Sequence, residues 1–147
     1  MMKSPLPDAP APQSLLEAAV YVDDLDPARE FYRDILGLKL FQEVPGRHMF
    51  FALGPSVLLV FNPTATSQPP GNPKMPVPPH GARGPGHVCF AMKRDEIAAK
   101  ETRLQAAGVE IDTSFDWPNG ARSLYVRDPA GNSVEFAEPW LWDEMKG

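Results

Sequence analysis

Cysteine and histidine are both scarce in this chain: one cysteine and three histidines stand among 147 residues. A lone thiol excludes an internal disulfide. Cys89 lies in the apolar run Val88-Cys89-Phe90, a strand pattern in which a thiol packs rather than attacks. Basic charge is also short, with 14 Lys and Arg against 19 Asp and Glu, a net charge of −5. The cations are scattered, so no basic patch exists to attract nucleic acid. No apolar run approaches the ~20 residues needed to cross a bilayer. The opening Met-Met-Lys-Ser-Pro-Leu-Pro lacks the apolar core of a signal peptide. The expectation is a cytoplasmic protein with neither membrane nor nucleic acid as partner, and a length suited to one domain.

Proline, by contrast, is plentiful, with 18 residues, and its placement divides the chain. Residues 1–13 are rich in Pro and Ala without periodicity and read as a disordered arm. Between Asn62 and Gly86, eight prolines and four glycines exclude regular structure and read as a stiff loop, a lid or a crossing. The expected organisation is one domain, 14–139, made of modules 14–62 and 85–139 joined by the loop 63–84, with a tail over 140–147.

Periodicity inside the modules is clear. Leu15 to Val22 reads as a strand with Leu16, Ala18, Val20 and Val22 on one face and Glu17, Ala19 and Tyr21 on the other. Asp26-Pro27 reads as an N-cap and first helical residue, Ala28, Phe31, Tyr32, Ile35 and Leu36 as an apolar stripe, and Gly37 as the stop. Three short strands follow over Leu38–Val44, His48–Leu53 and Val57–Phe61. The order then repeats: a strand over Gly86–Met92, a helix from about Asp95 to Ala107 with Ile97, Ala98, Leu104 and Ala107 inward, a strand over Val109–Phe115, and a hairpin over Ser123–Phe136. His87 follows Glu17 by 70 positions and Gly108 follows Gly37 by 71, so the chain is an internal duplication. The fold class is α+β: two tandem βαβββ modules forming a curved, cup-like mixed sheet, helices on its outer face.

Glu135 stands between apolar neighbours in the last strand, where a carboxylate must be paired, neutralised or metal-bound. Alternation puts it on the face of Ser133 and Ala137, as it puts His87 with Cys89 and Ala91. Matching the prolines that follow the last strands makes Leu59 the first-module counterpart of Glu135. Glu17, His87 and Glu135 thus fall on equivalent faces. One imidazole and two carboxylates suit a divalent ion such as Fe, Mn, Ni, Co or Zn, with positions left open for substrate. The alternatives are a buried hydrogen-bonded cluster or three groups on a solvated cleft.

Val22-Asp23-Asp24-Leu25, Phe31-Tyr32-Arg33-Asp34-Ile35-Leu36-Gly37, Gly86-His87-Val88 and Tyr125-Val126-Arg127-Asp128-Pro129-Ala130-Gly131-Asn132-Ser133-Val134-Glu135 together resemble the vicinal oxygen chelate superfamily, which holds glyoxalase I, bleomycin-resistance proteins, fosfomycin-resistance enzymes and extradiol dioxygenases. The resemblance implies paired modules around a metal site, often in a homodimer. It also implies a metal-dependent enzyme on a small substrate chelated through neighbouring oxygens, or else a metal-free dimeric ligand-binding protein of the bleomycin-resistance kind. Glu17 stands where the family commonly has His, with Glu or Gln in some members; His87 and Glu135 match directly. Leu59 occupies the position of an acid in glyoxalase I. The three-ligand set resembles the dioxygenases, yet Asp116-Trp117-Pro118 stands where those enzymes have a His. Tyr125, on the Glu135 side of its hairpin, and His80, in the proline-rich loop, are the candidates for proton handling. His48 is expected to line the cup or its rim, Arg122 to meet an anion or solvent, and the Phe and Trp residues to suit an apolar or aromatic ligand.

Overall fold

Two copies of one sheet pattern build the chain, described for residues 5–146 by a computed structural model. The first consists of β1 (Glu17–Tyr21), α1 (Leu25–Arg29), β2 (Lys39–Val44), β3 (His48–Leu53) and β4 (Ser56–Phe61), with strand order β1-β4-β3-β2. A short helix, α2 (Pro63–Thr66), follows. The second consists of β5 (His87–Ala91), α3 (Arg94–Ala106), β6 (Ile111–Asp116), β7 (Arg122–Arg127) and β8 (Ser133–Ala137), with order β5-β8-β7-β6. In each sheet the first strand runs parallel to the last and the remaining pairs are antiparallel. This is the α+β class expected from the sequence, two curved mixed sheets in tandem. Among the described residues no helix is long and apolar enough to cross a membrane.

The duplication extends to register. Glu17 pairs with Val57 and Ala19 with Leu59, as His87 pairs with Ser133 and Cys89 with Glu135. Even the irregularities repeat: β2 slips between Leu40 and Gln42, and β6 between Ile111 and Thr113. Gly37 and Gly108, with φ of 80° and 81°, turn the chain out of equivalent helices in the left-handed conformation that glycine tolerates best.

Local chemistry departs from the sequence expectation at five places. Asp24, not Asp26, caps the first helix: its extended backbone lets the carboxylate accept from the Asp26 N–H, and Pro27 lies inside the first turn, where its missing N–H costs nothing. The helix then widens over Glu30–Ile35, the Leu36 N–H reaching back five residues to the Phe31 carbonyl. The proline-rich stretch does contain regular structure, because Asn62 accepts from the N–H groups of Thr64 and Ala65 and Pro63 starts α2. In α3 only Ile97 and Leu104 are buried, while Ala98 and Ala107 are exposed. Lys100 completes the inner stripe by donating to the Leu36 carbonyl at 2.7 Å. The apolar face of β1 is likewise shorter than expected: Val20 is buried and Leu16 is 69% exposed. Residues 1–4 of the proposed arm lie outside the described residues; 5–13 are exposed and without helix or strand.

One core joins the two modules. Phe31, Tyr32, Phe51 and Val60 of the first and Leu104, Leu124, Val134 and Phe136 of the second belong to a single buried cluster, each side chain contributing roughly 1.5–3 kcal/mol. The tight turn Asp128-Pro129-Ala130-Gly131-Asn132 fastens the modules through polar contacts. Tyr32 Oη donates to Asp128 Oδ2 at 2.7 Å. Asn132 Nδ2 donates to the Tyr21 carbonyl at 2.9 Å and Asn132 Oδ1 accepts from the Gly86 N–H at 2.7 Å. Asp128 and Asn132 are both buried and fully partnered, so the turn links the end of β1 to the start of β5 without an orphaned group.

Candidate functional site

That link fixes how the site residues are distributed. Because the end of β1 meets the start of β5, the two strands run in opposite directions at the seam, and Glu17 and His87 sit at opposite ends of it. Four strand steps of about 3.3 Å put Glu17 roughly 13 Å along β1 from Tyr21. Glu17 is exposed and lines, with Leu15, Cys89 and Ala91, a cleft of about 490 Å³ between the modules. Among the described residues no three His, Cys, Asp or Glu side chains are grouped closely enough to hold a metal ion.

His87 and Glu135 do meet. His87 Nε2 lies 3.3 Å from Glu135 Oε1. The imidazole is oriented by the Ser133 carbonyl, 3.0 Å from Nδ1. A carbonyl only accepts, so Nδ1 carries the hydrogen, and in the neutral ring Nε2 turns its lone pair towards the carboxylate. Two lone pairs facing each other call for a cation between them, a proton or a metal ion. That is the chemistry of a metal-ligating histidine held by a partner at its other nitrogen.

Glu135 is held just as firmly. It is 5% exposed, and Oε2 accepts from Ser123 Oγ at 2.6 Å, while Ser123 Oγ accepts from Trp117 Nε1 at 2.8 Å. Ser123 escaped the sequence reading. Its only signal was its position two residues before Tyr125, on the same face of β7.

Tyr125 pairs across the strands with Glu135 and stacks between His87 and Phe115, with ring centroids 6.3 and 6.0 Å away. Burial, then the Glu135 carboxylate, push its phenol up to about 12. Cys89, expected to pack, is instead exposed on the wall of the cleft. Partial loss of water around its sulfur, together with the same carboxylate, pushes the thiol up to about 12, which keeps it protonated and a poor nucleophile.

The corresponding face of the first module is aromatic. Ser123, Tyr125, Glu135 and Ala137 have His48, Phe50, Leu59 and Phe61 as register counterparts. The phenol of Tyr21 meets His80 Nδ1 at 2.6 Å, and the His80 ring packs on Phe61 with centroids 4.6 Å apart. His80 therefore belongs to the first-module face, away from Tyr125 and Glu135 of its own chain. His48 is buried, stacked on Phe50 at 4.0 Å and 5°. Arg122, read as a possible anion contact or a solvated turn residue, is engaged instead with Asp116 at 3.4 Å and Ser114 at 3.0 Å.

The family model described as Glyoxalase/Bleomycin resistance protein/Dioxygenase superfamily matches residues 14–136. The chain belongs to this superfamily. Among solved structures, a lactoylglutathione lyase from Agrobacterium tumefaciens is 44% identical, with a TM-score of 0.84 over 90% of this chain and 98% of that one. A superfamily member from Nocardioides is 24% identical, with a TM-score of 0.68 over 88% and 85%. The fosfomycin resistance protein FosX from Mesorhizobium loti is 15% identical, with a TM-score of 0.63 over 92% and 99%. The last two share the superfamily fold, and the likeness goes no further. No protein of curated function matches the sequence.

Proposed function

We propose that this superfamily member is a metal-dependent enzyme of the glyoxalase/dioxygenase type, acting as a homodimer on a small substrate that presents two neighbouring oxygens. His87 and Glu135 of one protomer and Glu17 of the partner subunit would hold one divalent ion, Fe, Mn, Ni, Co or Zn. The observation that carries the proposal is the His87–Glu135 pair, in which the Ser133 carbonyl and the Ser123 hydroxyl fix two donors so that their free lone pairs converge. Glu17 stands too far along β1 to join them within one chain. A two-fold dimer resolves this if the first-module face of each protomer covers the second-module face of the other.

When bound, the ion supplies Lewis acidity to the chelated oxygens. The chain's own residues do the rest. Ser123 and Trp117 keep Glu135 from rotating, and Ser133 keeps His87 in one tautomer. Tyr125 remains protonated at neutral pH and donates a hydrogen bond to substrate oxygen. His80, steadied by Tyr21, has Nε2 free to exchange a proton from the opposing wall. Lyase chemistry is the first reaction to test, since the 44% identical Agrobacterium protein is described as a lactoylglutathione lyase.

Leu59 and the aromatic first-module face favour a second reading, a metal-free dimeric ligand-binding protein whose acids recognise a cationic ligand. Metal analysis of protein purified without chelator or histidine tag, with light-scattering mass, separates the two. The enzyme reading expects a dimer with stoichiometric metal and a metal-dependent rise in melting temperature that His87→Ala abolishes. A metal-free protein indifferent to added ions and to His87→Ala sinks it. Isomerisation of hemithioacetals against oxygen uptake with catechols then decides the reaction.

A further inference from the structure

Arg47 is the one arginine among the described residues that reaches neither a carboxylate nor a backbone carbonyl. Arg29, Arg33, Arg83, Arg94, Arg122 and Arg127 all pair with acids, and Arg103 donates to the carbonyls of Asp34 and Ile35. The described lysines are without acid partners too, but a half-buried guanidinium left so is the exception, because a charge withdrawn from water ordinarily finds a counter-charge.

The side chain is nevertheless held in place. Its Nη1 lies 2.6 Å from His48 Nδ1, and His48 Nε2 lies 2.6 Å from Gln42 Oε1. A guanidinium only donates and an amide oxygen only accepts, so the hydrogen of His48 is on Nε2 and Nδ1 receives Arg47. Burial and the neighbouring guanidinium keep the imidazole neutral, with its pKa below the ordinary value. On its other side the Arg47 guanidinium carbon lies 5.9 Å from the centroid of the Phe61 ring, which it covers. One of five N–H groups is used; the remaining fork is pre-oriented for a planar anion.

The surroundings are aromatic: the Phe61 and His48 rings are buried beneath Arg47, and Phe50 and Phe41 beside them are open to a ligand. The Phe61 ring meets Tyr21, His48 and Phe50, each at 5.9 Å between centroids, and Phe50 also meets the half-exposed Phe41 at 6.3 Å. The second-module counterparts of His48, Phe50, Leu59 and Phe61 are Ser123, Tyr125, Glu135 and Ala137, so this aromatic face stands where the second module carries its polar residues.

We infer that Arg47 and the aromatic face around Phe61 bind the non-reacting end of the substrate, and that this end is an aromatic or similarly flat group carrying a carboxylate. The inference rests on the proposed dimeric site only for what lies opposite this face.

The test uses the full chain without added metal and three small probes, phenylacetate, phenylacetamide and acetate, followed by heteronuclear NMR. Phenylacetate is expected to shift the amides of Arg47, His48 and Phe61 and to bind about tenfold more tightly than either control, the strength of one charge-assisted contact. Arg47→Gln should remove the preference for acid over amide, and Arg47→Lys should restore part of it. Equal binding of acid and amide by the wild-type chain, or shifts confined to other regions, overturns the inference even if a variant fails to fold. Dimer mass and metal uptake, read separately on wild type and Arg47→Gln, keep a failed metal site distinct from a failed anion site.

Discussion

Leu59 lies opposite Ala19 and Phe50 as Glu135 lies opposite Cys89 and Tyr125. The two residues hold one position in a duplicated sheet, and only the second module keeps an acid there. Replacing Leu59 with Glu tests what that difference does. The half-buried carboxylate should lower the stability of metal-free protein by roughly 1–3 kcal/mol, through lost apolar burial and an unpaired charge. With a divalent ion present, the rise in melting temperature should exceed that of the wild type, because a fourth protein ligand, the third carboxylate, joins the site. A calorimetric scan with and without metal reads both; a variant whose loss no ion recovers argues against a shared site.

Ser123 is the hinge of the second-module polar chain. Ser123→Ala removes the donor to Glu135 Oε2 and leaves Trp117 Nε1 without its acceptor. The expected cost is about 1–3 kcal/mol in a denaturant titration, together with weaker metal binding from a carboxylate free to rotate. Ser123→Thr keeps the hydroxyl and should keep most of the metal affinity.

Tyr32→Phe tests the fastening between modules. The ring packing survives, but buried Asp128 loses one of its donors. A loss of about 1.5–3 kcal/mol is expected, as for a hydrogen bond to a charged group. Both modules should still unfold in one transition because they share a core; two separated transitions would show that the hydrogen bond, not the core, couples them.

Alkaline titration follows from Tyr125 and Cys89, both pushed up to about 12 from ordinary values of 10.0 and 9.0. Each folded-state group binds its proton more tightly than the unfolded one. Their stabilising contribution is therefore complete below about pH 9 and is lost as pH rises from there to about 12. Stability should fall through that window, and less steeply in Tyr125→Phe. Cys89 should resist alkylation at pH 8 in the native protein and react once the chain is unfolded. Rapid native alkylation would mean a thiol with a lower pKa than its surroundings dictate.

How much was legible beforehand depends on distance along the chain. Alternation in the strands, the helix-stopping glycines and the constant offset between Glu17 and His87 are short-range or periodic signals, and they established two βαβββ modules and the faces of Glu17, His87, Glu135 and Tyr125. Capping was legible less well: the Asp26-Pro27 pair reads as the helix start, yet the extended backbone of Asp24 makes that residue the cap. Arg47 gave no signal, since a turn arginine looks solvated until every other arginine has been assigned a partner.

What only the tertiary structure decided is which of these groups meet. The Asp128–Asn132 turn reads locally as a hairpin end, yet Asn132 reaches Tyr21 across 111 residues and so sets the opposed direction of β1 and β5. Parallel pairing of β5 with β8 brings His87 to Glu135 inside the second module, and the opposed direction of β1 leaves Glu17 at the far end of the seam. Local sequence dictates the period and face of a strand through sterics and burial. It cannot dictate how two finished sheets abut, because that depends on a shared core and a few buried polar contacts that exist only once both modules have formed.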